Sequence, residues 1–489
     1  MPELSAQKEH PTRGADPISI EGTAPPHRIQ NMLYYVAKQP FRKQSFREKT
    51  MKFYDRQREI ALLNDIAAKS RQTAQFTVIT GRRRIGKTSL VRKAFEGKPY
   101  LHFIAARKSE AELCEVFQSE ITEKLGVPLL GESKRFADVF RFVIEYAKKK
   151  PATLFIDEFQ EFFRVNPAIY GDIQGIWDLN KDKSKINLIV GGSVYTLMTK
   201  IFRDKREPLF GRQTRMLSVG PFSVSVLKQI LRDHKPKYTN EDLLALWTFT
   251  GGVAKYVELL MDDSATSRDK MIESIIAEDS TFITEGKAML IEEIGKDYGN
   301  YFSILALIAR GKTTRSEIEA AIGKEIGGYL TKLEDEFALI AKHQPLFEKT
   351  TKKNVRYRLS DNFLVFWFRF LHHFSYMTDI KAFRQLQDIV KRDYDAFSGF
   401  ALENYFRAKF VEAETFTRLG GWWDRKGENE IDIIAENEIE KKAVFIEIKR
   451  RSSRYDESLL KAKADVFLKA TGKFKNYNLN VKGLSLDDM

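Results

Sequence analysis

Cysteine is almost missing from this chain of 489 residues, since Cys114 is the only one. One thiol excludes an intrachain disulfide framework and every zinc site built on several cysteines. Histidine is scarce too, with seven, and no pair has HExxH spacing, which excludes a zincin. No run reaches the ~18–20 uncharged apolar residues that a membrane helix needs. The best stretch, 363–374, is short and carries Arg369, His372 and His373. No apolar segment follows a basic start at the N-terminus, so no secretory signal is expected. These absences lead to the expectation of a soluble protein of a reducing compartment, the cytoplasm, with no membrane partner.

What is present is ordinary globular composition, 43% hydrophobic and 30% charged. The length suggests about three domains. Lys and Arg number 81 against 67 Asp and Glu, which leaves a net charge of +14. That surplus favours a polyanionic partner, DNA before an anionic membrane. Residues 1–50 contain Pro11, Pro17, Pro25, Pro26 and Pro40 and little periodicity, so a flexible leader is expected there. Compact sequence begins at Met51, where a domain could start. From 51 to 223 short apolar runs alternate with amphipathic stretches, as in a three-layer α/β domain. Residues 224–296 read as helices only, a lid on that core. A small helical unit with a hairpin and an aromatic-rich helix fills 297–383. Residues 384–489 return to α/β pattern.

Gly81-Arg82-Arg83-Arg84-Ile85-Gly86-Lys87-Thr88 matches G-x-x-x-x-G-K-[ST], between an apolar strand at 76–80 and a helix opening at Ser89. Glycines there let amide N–H groups turn toward phosphate oxygens, and the helix N-terminus adds partial positive charge. Lys87 is expected to reach the β- and γ-phosphates of ATP, and Thr88 to offer its hydroxyl to Mg²⁺. The strand Leu154-Phe155-Ile156 ends in Asp157 and Glu158. Asp157 is the candidate second group for Mg²⁺ and Glu158 the candidate base that polarises water. A third strand, 187–190, ends in Gly191-Gly192-Ser193, where Ser193 either senses the γ-phosphate or sits in a plain turn. Arg212, in Pro208-Leu209-Phe210-Gly211-Arg212, is either a surface residue or a finger that reaches a neighbour's nucleotide, which would require a homo-oligomer.

With Phe53-Tyr54-Asp55-Arg56 and Glu59, these motifs resemble the archaeal-type ATPases, AAA+-related proteins near the origin-recognition and STAND ATPases. The resemblance extends through Thr250-Gly251-Gly252-Val253 and through Tyr357-Arg358-Leu359-Ser360-Asp361-Asn362-Phe363. It implies a P-loop ATPase core with a helical lid, and it makes Arg212 a candidate arginine finger. Ala254 stands where the family commonly has proline. Lys255 beside it is a candidate second basic sensor.

Residues 301–360 suit a winged helix-turn-helix. Thr314-Arg315-Ser316-Glu317 is a capping-box start for its second helix, and Gly327–Leu339 is expected as the third. Leu346–Lys349 and Val355–Leu359 are expected to pair as the wing, with Lys352 and Lys353 at a basic tip, and Lys332 is a further candidate DNA contact. Glu334, Asp335 and Glu336 on the third helix would repel DNA, so a packing module is the other reading.

In the last domain Glu403 lies on a helix, Asp432 on the strand 430–434, and Glu447 and Lys449 on the strand 445–449. Alternation gives Glu447 and Lys449 the same strand face. Two carboxylates can hold Mg²⁺ or Mn²⁺ while Lys449 orients water against a phosphodiester. This order, with the lead-in Trp422-Trp423-Asp424-Arg425-Lys426-Gly427, resembles the PD-(D/E)XK nuclease superfamily, in which Glu403 fits the first-helix acid. It also resembles the domain of unknown function at the C-termini of archaeal-type ATPases. Lys449, Arg450, Arg451 and Arg454 are expected to favour a nucleic-acid backbone. The expected protein is therefore an ATP-hydrolysing, DNA-acting ATPase whose C-terminal domain cuts DNA. The alternatives are a STAND-type nucleotide switch with an inert nuclease fold and a DNA-binding regulator with little turnover.

Overall fold

The computed structural model describes residues 51–127, 131–193, 195–295, 298–348 and 354–489. The leader expected at 1–50 and the tip residues Lys352 and Lys353 lie outside them. A five-stranded sheet is formed by β1 (Gln75–Thr80), β2 (Leu101–Ile104), β3 (Ala152–Asp157), β4 (Ile186–Gly192) and β5 (Arg215–Ser218). Its order is β2-β3-β4-β1-β5 and every pairing is parallel. The P-loop strand β1 and the acid-tipped strand β3 therefore flank β4.

Alternate residues of each central strand feed different cores. Phe76 and Val78 of β1, Leu154 and Ile156 of β3, and Leu188 and Val190 of β4 pack with the helices Glu110–Leu125, Phe136–Lys149 and Ala168–Asn180. Ile79, Phe155 and Ile189 point the other way, into a core shared with the lid. Burial on both faces is why these strands read as near-continuous apolar runs.

The segment expected to be helical throughout supplies the helices Val224–His234, Asn240–Thr250, Ala254–Asp262, Arg268–Ile275 and Phe282–Ile294. Three more follow at Gly299–Ala309, Arg315–Ile322 and Gly327–Thr331, the last continuing as a wider turn through Glu336. The capping box at Thr314 and Glu317 forms as expected. The hairpin does not. Its strands are β6 (Ile340–His343) and β7 (Arg356–Leu359), paired from Ile340↔Leu359 to His343↔Arg356. Residues 346–349 were expected in that first strand, but Leu346 and Phe347 are spent on a different core.

That core belongs to the C-terminal sheet, β8 (Arg418–Trp423), β9 (Glu430–Asn437), β10 (Lys442–Ile448) and β11 (Asn478–Leu484), in the order β11-β10-β9-β8. The helix Glu457–Thr471 covers one face through Leu460, Ala464 and Phe467. Leu346 donates its N–H to the Gly421 carbonyl at 2.9 Å. Its side chain lies where a Cβ on Gly420 would come within 2.9 Å. Phe347 meets Phe474 edge-on with ring centres 5.4 Å apart. Trp422 and Trp423 donate their indole N–H groups to Glu348 Oε1 and the Asn354 carbonyl, each at 3.2 Å. The loop between β6 and β7 is thus held by the C-terminal domain on both sides of its tip.

No break in packing falls at 383/384. The helix Phe383–Phe397 packs on Arg268–Ile275, and Gly399–Ala413 packs on Asn240–Thr250. Trp247 Nε1 donates to the Ala401 carbonyl at 3.1 Å. Arg450, expected to face nucleic acid, points inward instead and bonds Ser398, Asp395 and Glu241 at 2.6, 2.9 and 2.5 Å. Arg451 and Arg454 remain exposed.

Candidate nucleotide site

The loop after β1 is shaped by two glycines that nothing else can replace. A Cβ on Gly81 would come within 2.5 Å of the Val219 carbonyl oxygen, and Gly86 has φ +94°. Lys87 opens the next helix and is buried. Its ammonium donates to the carbonyls of Gly81 at 2.9 Å and Arg82 at 3.1 Å, so it lies inside the loop it serves. Burial lowers its pKa below the usual lysine range, although Glu158 and Asp157 pull the other way.

Thr88 donates its hydroxyl to Asp157 Oδ2 at 2.5 Å, which joins the loop to the end of β3. Burial pushes the Asp157 carboxyl up, but His102, whose Nε2 lies 3.8 Å away, and the bonds from Thr88 and the Glu158 N–H outweigh it and hold the pKa below the ordinary value. His102 stacks on Phe155 at 4.9 Å, which fixes its ring beside Asp157. Glu158 adopts φ 51°, in the left-handed region, and its N–H meets Asp157 Oδ1 at 2.9 Å. Its Oε2 accepts from Ser193 Oγ at 2.8 Å and Gln160 Nε2 at 2.6 Å. Ser193 therefore spends its hydroxyl on Glu158. The tip of β4 admits these groups because it is glycine: a Cβ on Gly192 would meet Gln160 Oε1 at 2.6 Å and Met198 Sδ at 2.3 Å.

Each loop arginine is tied to a distant element. Arg82 pairs with Asp361 at 2.7 Å, where Asp361 caps the helix Asn362–Phe366. Arg83 pairs with Glu292 and Arg84 with Glu285 at 2.7 Å, both on the lid helix Phe282–Ile294. Glu285 is buried and also accepts from Tyr256 Oη at 2.8 Å. A cavity of about 640 Å³ opens beside the loop. Lys87, Thr88, Ser89 and Glu158 line it, facing Phe53, Tyr54, Phe222, Ala254 and Leu259. A lining that mixes phosphate-loop groups with apolar side chains suits a nucleotide. Ile85 and Lys255 also line it, and Lys255 pairs with Glu258 at 2.9 Å. Arg212 does not line it. Its guanidinium forks onto Asp178 at 2.8 and 3.0 Å and bonds the Pro208 carbonyl at 2.6 Å.

The C-terminal acids come near one another but take cationic partners. Glu403 Oε1 accepts from Arg358 of β7 and from Arg407, each at 2.9 Å. Glu447 Oε1 accepts from Lys449 at 2.8 Å and Lys463 at 3.2 Å. Burial pushes both carboxyls up, and these cations bring each below its ordinary value. Asp432 Oδ2 accepts the Ile448 N–H at 2.7 Å. Burial drives its pKa up to about 6, helped by Glu403 and Glu447 and opposed by the Ile448 bond. No three acids, histidines or cysteines among the described residues are grouped to hold a metal ion. The donor set expected for Mg²⁺ or Mn²⁺ is only partly taken: cations occupy Glu403 Oε1 and Glu447 Oε1, whereas Glu447 Oε2 is buried without a hydrogen-bond partner and Asp432 accepts a backbone N–H. At the nucleotide site the Thr88 hydroxyl and the Asp157 carboxylate are adjacent hard oxygens and do fit Mg²⁺.

Residues 53–260 match an ATPase domain found predominantly in Archaea. The chain carries an archaeal-type P-loop ATPase domain. Residues 367–460 match a family of archaeal and bacterial proteins of unknown function. An uncharacterized protein of Methanocaldococcus jannaschii is 29% identical over 437 residues, 86% of this chain and 92% of the relative. The Walker-type ATPase of Pyrococcus abyssi superposes with a TM-score of 0.50 at 20% identity, over 66% of this chain and 99% of its own, which supports the fold. The ORC2 protein of Aeropyrum pernix, solved in ADPNP–ADP complexes, gives 0.47 at 14% identity over 65% and 94%, too loose an overlap to argue from.

Several residues of this ATPase domain were not singled out in the sequence. Phe222 and Leu259 lie far from the motifs, and no spacing connects them to the P-loop. Gln160 stands inside Ile-Asp-Glu-Phe-Gln, two positions after Glu158, and an amide there is a signal that could have been followed.

Proposed function

We propose that the ATPase domain hydrolyses ATP and that DNA is the partner on which the cycle acts. The observation that carries the first part is the Thr88–Asp157 contact at 2.5 Å beside a Glu158 held by Ser193 and Gln160. Loop amides and Lys87 would bind the phosphates, with Lys87 exchanging carbonyl partners for β- and γ-oxygens. Thr88 and Asp157 would hold Mg²⁺, which spreads the phosphates' negative charge. Glu158 orients a water and takes its proton as the oxygen bonds the γ-phosphorus and the bond to the β–γ bridging oxygen breaks. Ser193 and Gln160 keep the Glu158 carboxylate in one position. Phosphate release with wild type, its loss in Glu158→Gln and retained ATP binding in that variant test this directly. ATP binding without any phosphate release by wild type would overturn it.

The net charge of +14 supports DNA as the partner. Three helices followed by a hairpin support a winged-helix unit, but its wing is taken by the C-terminal domain. That docking and the cation-paired acids favour a nucleotide-driven switch of the STAND type over a DNA-cutting enzyme. Incubation with DNA and Mg²⁺ or Mn²⁺ is expected to leave the DNA intact. Cleavage by wild type that is absent in Lys449→Ala would restore the nuclease reading.

A further inference from the structure

The C-terminal domain holds the wing at Leu346, Phe347 and Glu348, and elsewhere one basic surface stands out. Arg310, at the end of the helix Gly299–Ala309, donates to His373 Nδ1 at 2.7 Å. Arg310 thus gives this N–H to an imidazole rather than to an acid. Arg369 and Lys287 lie close enough to act electrostatically on His373 and His372 respectively. Lys287, Arg310, Arg369 and His373 are all exposed. Among the described residues, none of the three cations forms an ion pair with an acid. Asp393 is within electrostatic reach of Arg369 but gives both carboxylate oxygens to Arg392, at 2.7 and 2.9 Å.

The neighbouring arginines behave differently. Arg315, Arg356 and Arg358 of the same helical unit and hairpin are each paired, with Glu319, Glu430 and Glu403 at 2.6, 2.7 and 2.9 Å. Cations gathered without acids repel one another unless an anion arrives. Burial, then Arg310, lowers the pKa of both His372 and His373, as expected where positive charge is in excess. Tyr376 is 60% exposed on the segment that follows. Its partner ring, Phe374, sits 6.2 Å away and also packs on His373.

We propose that Arg310, Arg369 and Lys287, with His373 and Tyr376 beside them, form the surface that binds the phosphate backbone of DNA. The cations come from the lid helix, the end of the Gly299–Ala309 helix and the Trp367–His372 turn. A repeated phosphate backbone can engage such a spread of charge, whereas a single phosphate needs an enclosed cradle. The three elements flank the Phe302–Trp367 and Phe302–Phe368 ring contacts, at 5.7 and 4.9 Å, so the cations stand on a packed base.

The inference rests on DNA as the partner and names its surface. The test measures anisotropy of a short labelled DNA duplex across a salt series, without nucleotide, so ATP hydrolysis does not enter. Arg310→Glu/Arg369→Glu is compared with Lys442→Glu/Lys461→Glu, which makes the same change of net charge elsewhere. The expected result is at least about tenfold weaker binding by the first variant and a salt slope reduced by about 2, with the second variant near wild type. An unchanged thermal midpoint and ATPase rate show that the first variant is folded. Wild type that does not bind DNA would sink the partner reading itself. DNA binding equal in wild type and the first variant, or lost equally in both variants, would sink only the surface. Tighter binding to phosphatidylglycerol vesicles than to DNA, lost in the first variant, would reassign the surface to membranes and overturn the proposal.

Discussion

The protein has two clusters of acids, one at the end of a strand and one between a helix and two strands, and they are finished in opposite ways. At the end of β3, Asp157 and Glu158 are held by neutral donors: a threonine, a serine, an amide and a backbone N–H. Neutral donors fix a carboxylate in space and leave its charge available for a cation or a proton. At the C-terminal sheet, Glu403 and Glu447 are held by arginines and lysines, which fix them and cancel their charge. Clustering of acids alone does not distinguish the two. The charge of the hydrogen-bond donor does.

The comparison can be broken most severely at Glu158. Glu158→Gln keeps the shape and removes the proton acceptor, so kcat should fall by about 10²–10⁴-fold with ATP affinity little changed. A variant within tenfold of wild type would put Glu158 outside the chemistry. The next effect concerns Asp432, the acid without a cation of its own. Its folded pKa is about 6 against an ordinary 3.8. The folded state holds the extra proton between those values, so stability falls as pH rises through that window and the full penalty is present above it. Asp432→Asn can still accept the Ile448 N–H and should add about 1–3 kcal/mol at pH near 8 and nothing near pH 4. Urea melts at both pH values check this, and equal shifts at both would refute it.

Ser193→Ala removes one of two bonds that position Glu158. It should lower kcat by about tenfold and leave KM and the melting midpoint nearly unchanged. A change in ATP affinity instead would mean that Ser193 touches phosphate. The smallest effect is expected for Lys449→Ala. Glu447 keeps Lys463, and Lys449 is 37% exposed, so the loss should stay below about 1 kcal/mol with ATP turnover intact.

The P-loop and the acids after β3 were legible because their chemistry is contiguous. Eight residues carry the loop, and the strand that precedes it is buried at Phe76, Thr77, Val78 and Ile79. The partners of Arg82, Arg83 and Arg84 were not legible, because Asp361, Glu292 and Glu285 lie about 200–280 positions away and follow no local period. The wing was misread for a related reason. Leu346 and Phe347 look like the start of a strand, since an apolar pair before a turn is a strand signal, but the pattern cannot say which core receives them. Glu403, Asp432 and Glu447 do lie within electrostatic reach of one another. Their meaning depended on Arg358 and Lys463, neither of which belongs to the motif. The packing across 383/384 was not legible either, because Leu386, Val390, Leu402 and Tyr405 share a core with lid helices more than a hundred positions away.

The insertion of Leu346 and Phe347 has a consequence for how the molecule is made. The chain emerges from the ribosome N-terminus first, so these two side chains exist before the β-sheet that closes around them has been synthesised. Until that sheet arrives they are loose apolar groups on a hairpin, and afterwards they pack half-buried against its core. A fragment cut at 384 and produced alone would inherit the socket without its plug. Losing a fully buried phenylalanine costs roughly 3–5 kcal/mol; Phe347 is half-buried and its loss costs less, yet still a share of what a domain of that size has to spare. The C-terminal domain is in this sense finished by its predecessor during synthesis, and its boundary in space does not coincide with any single cut in the gene.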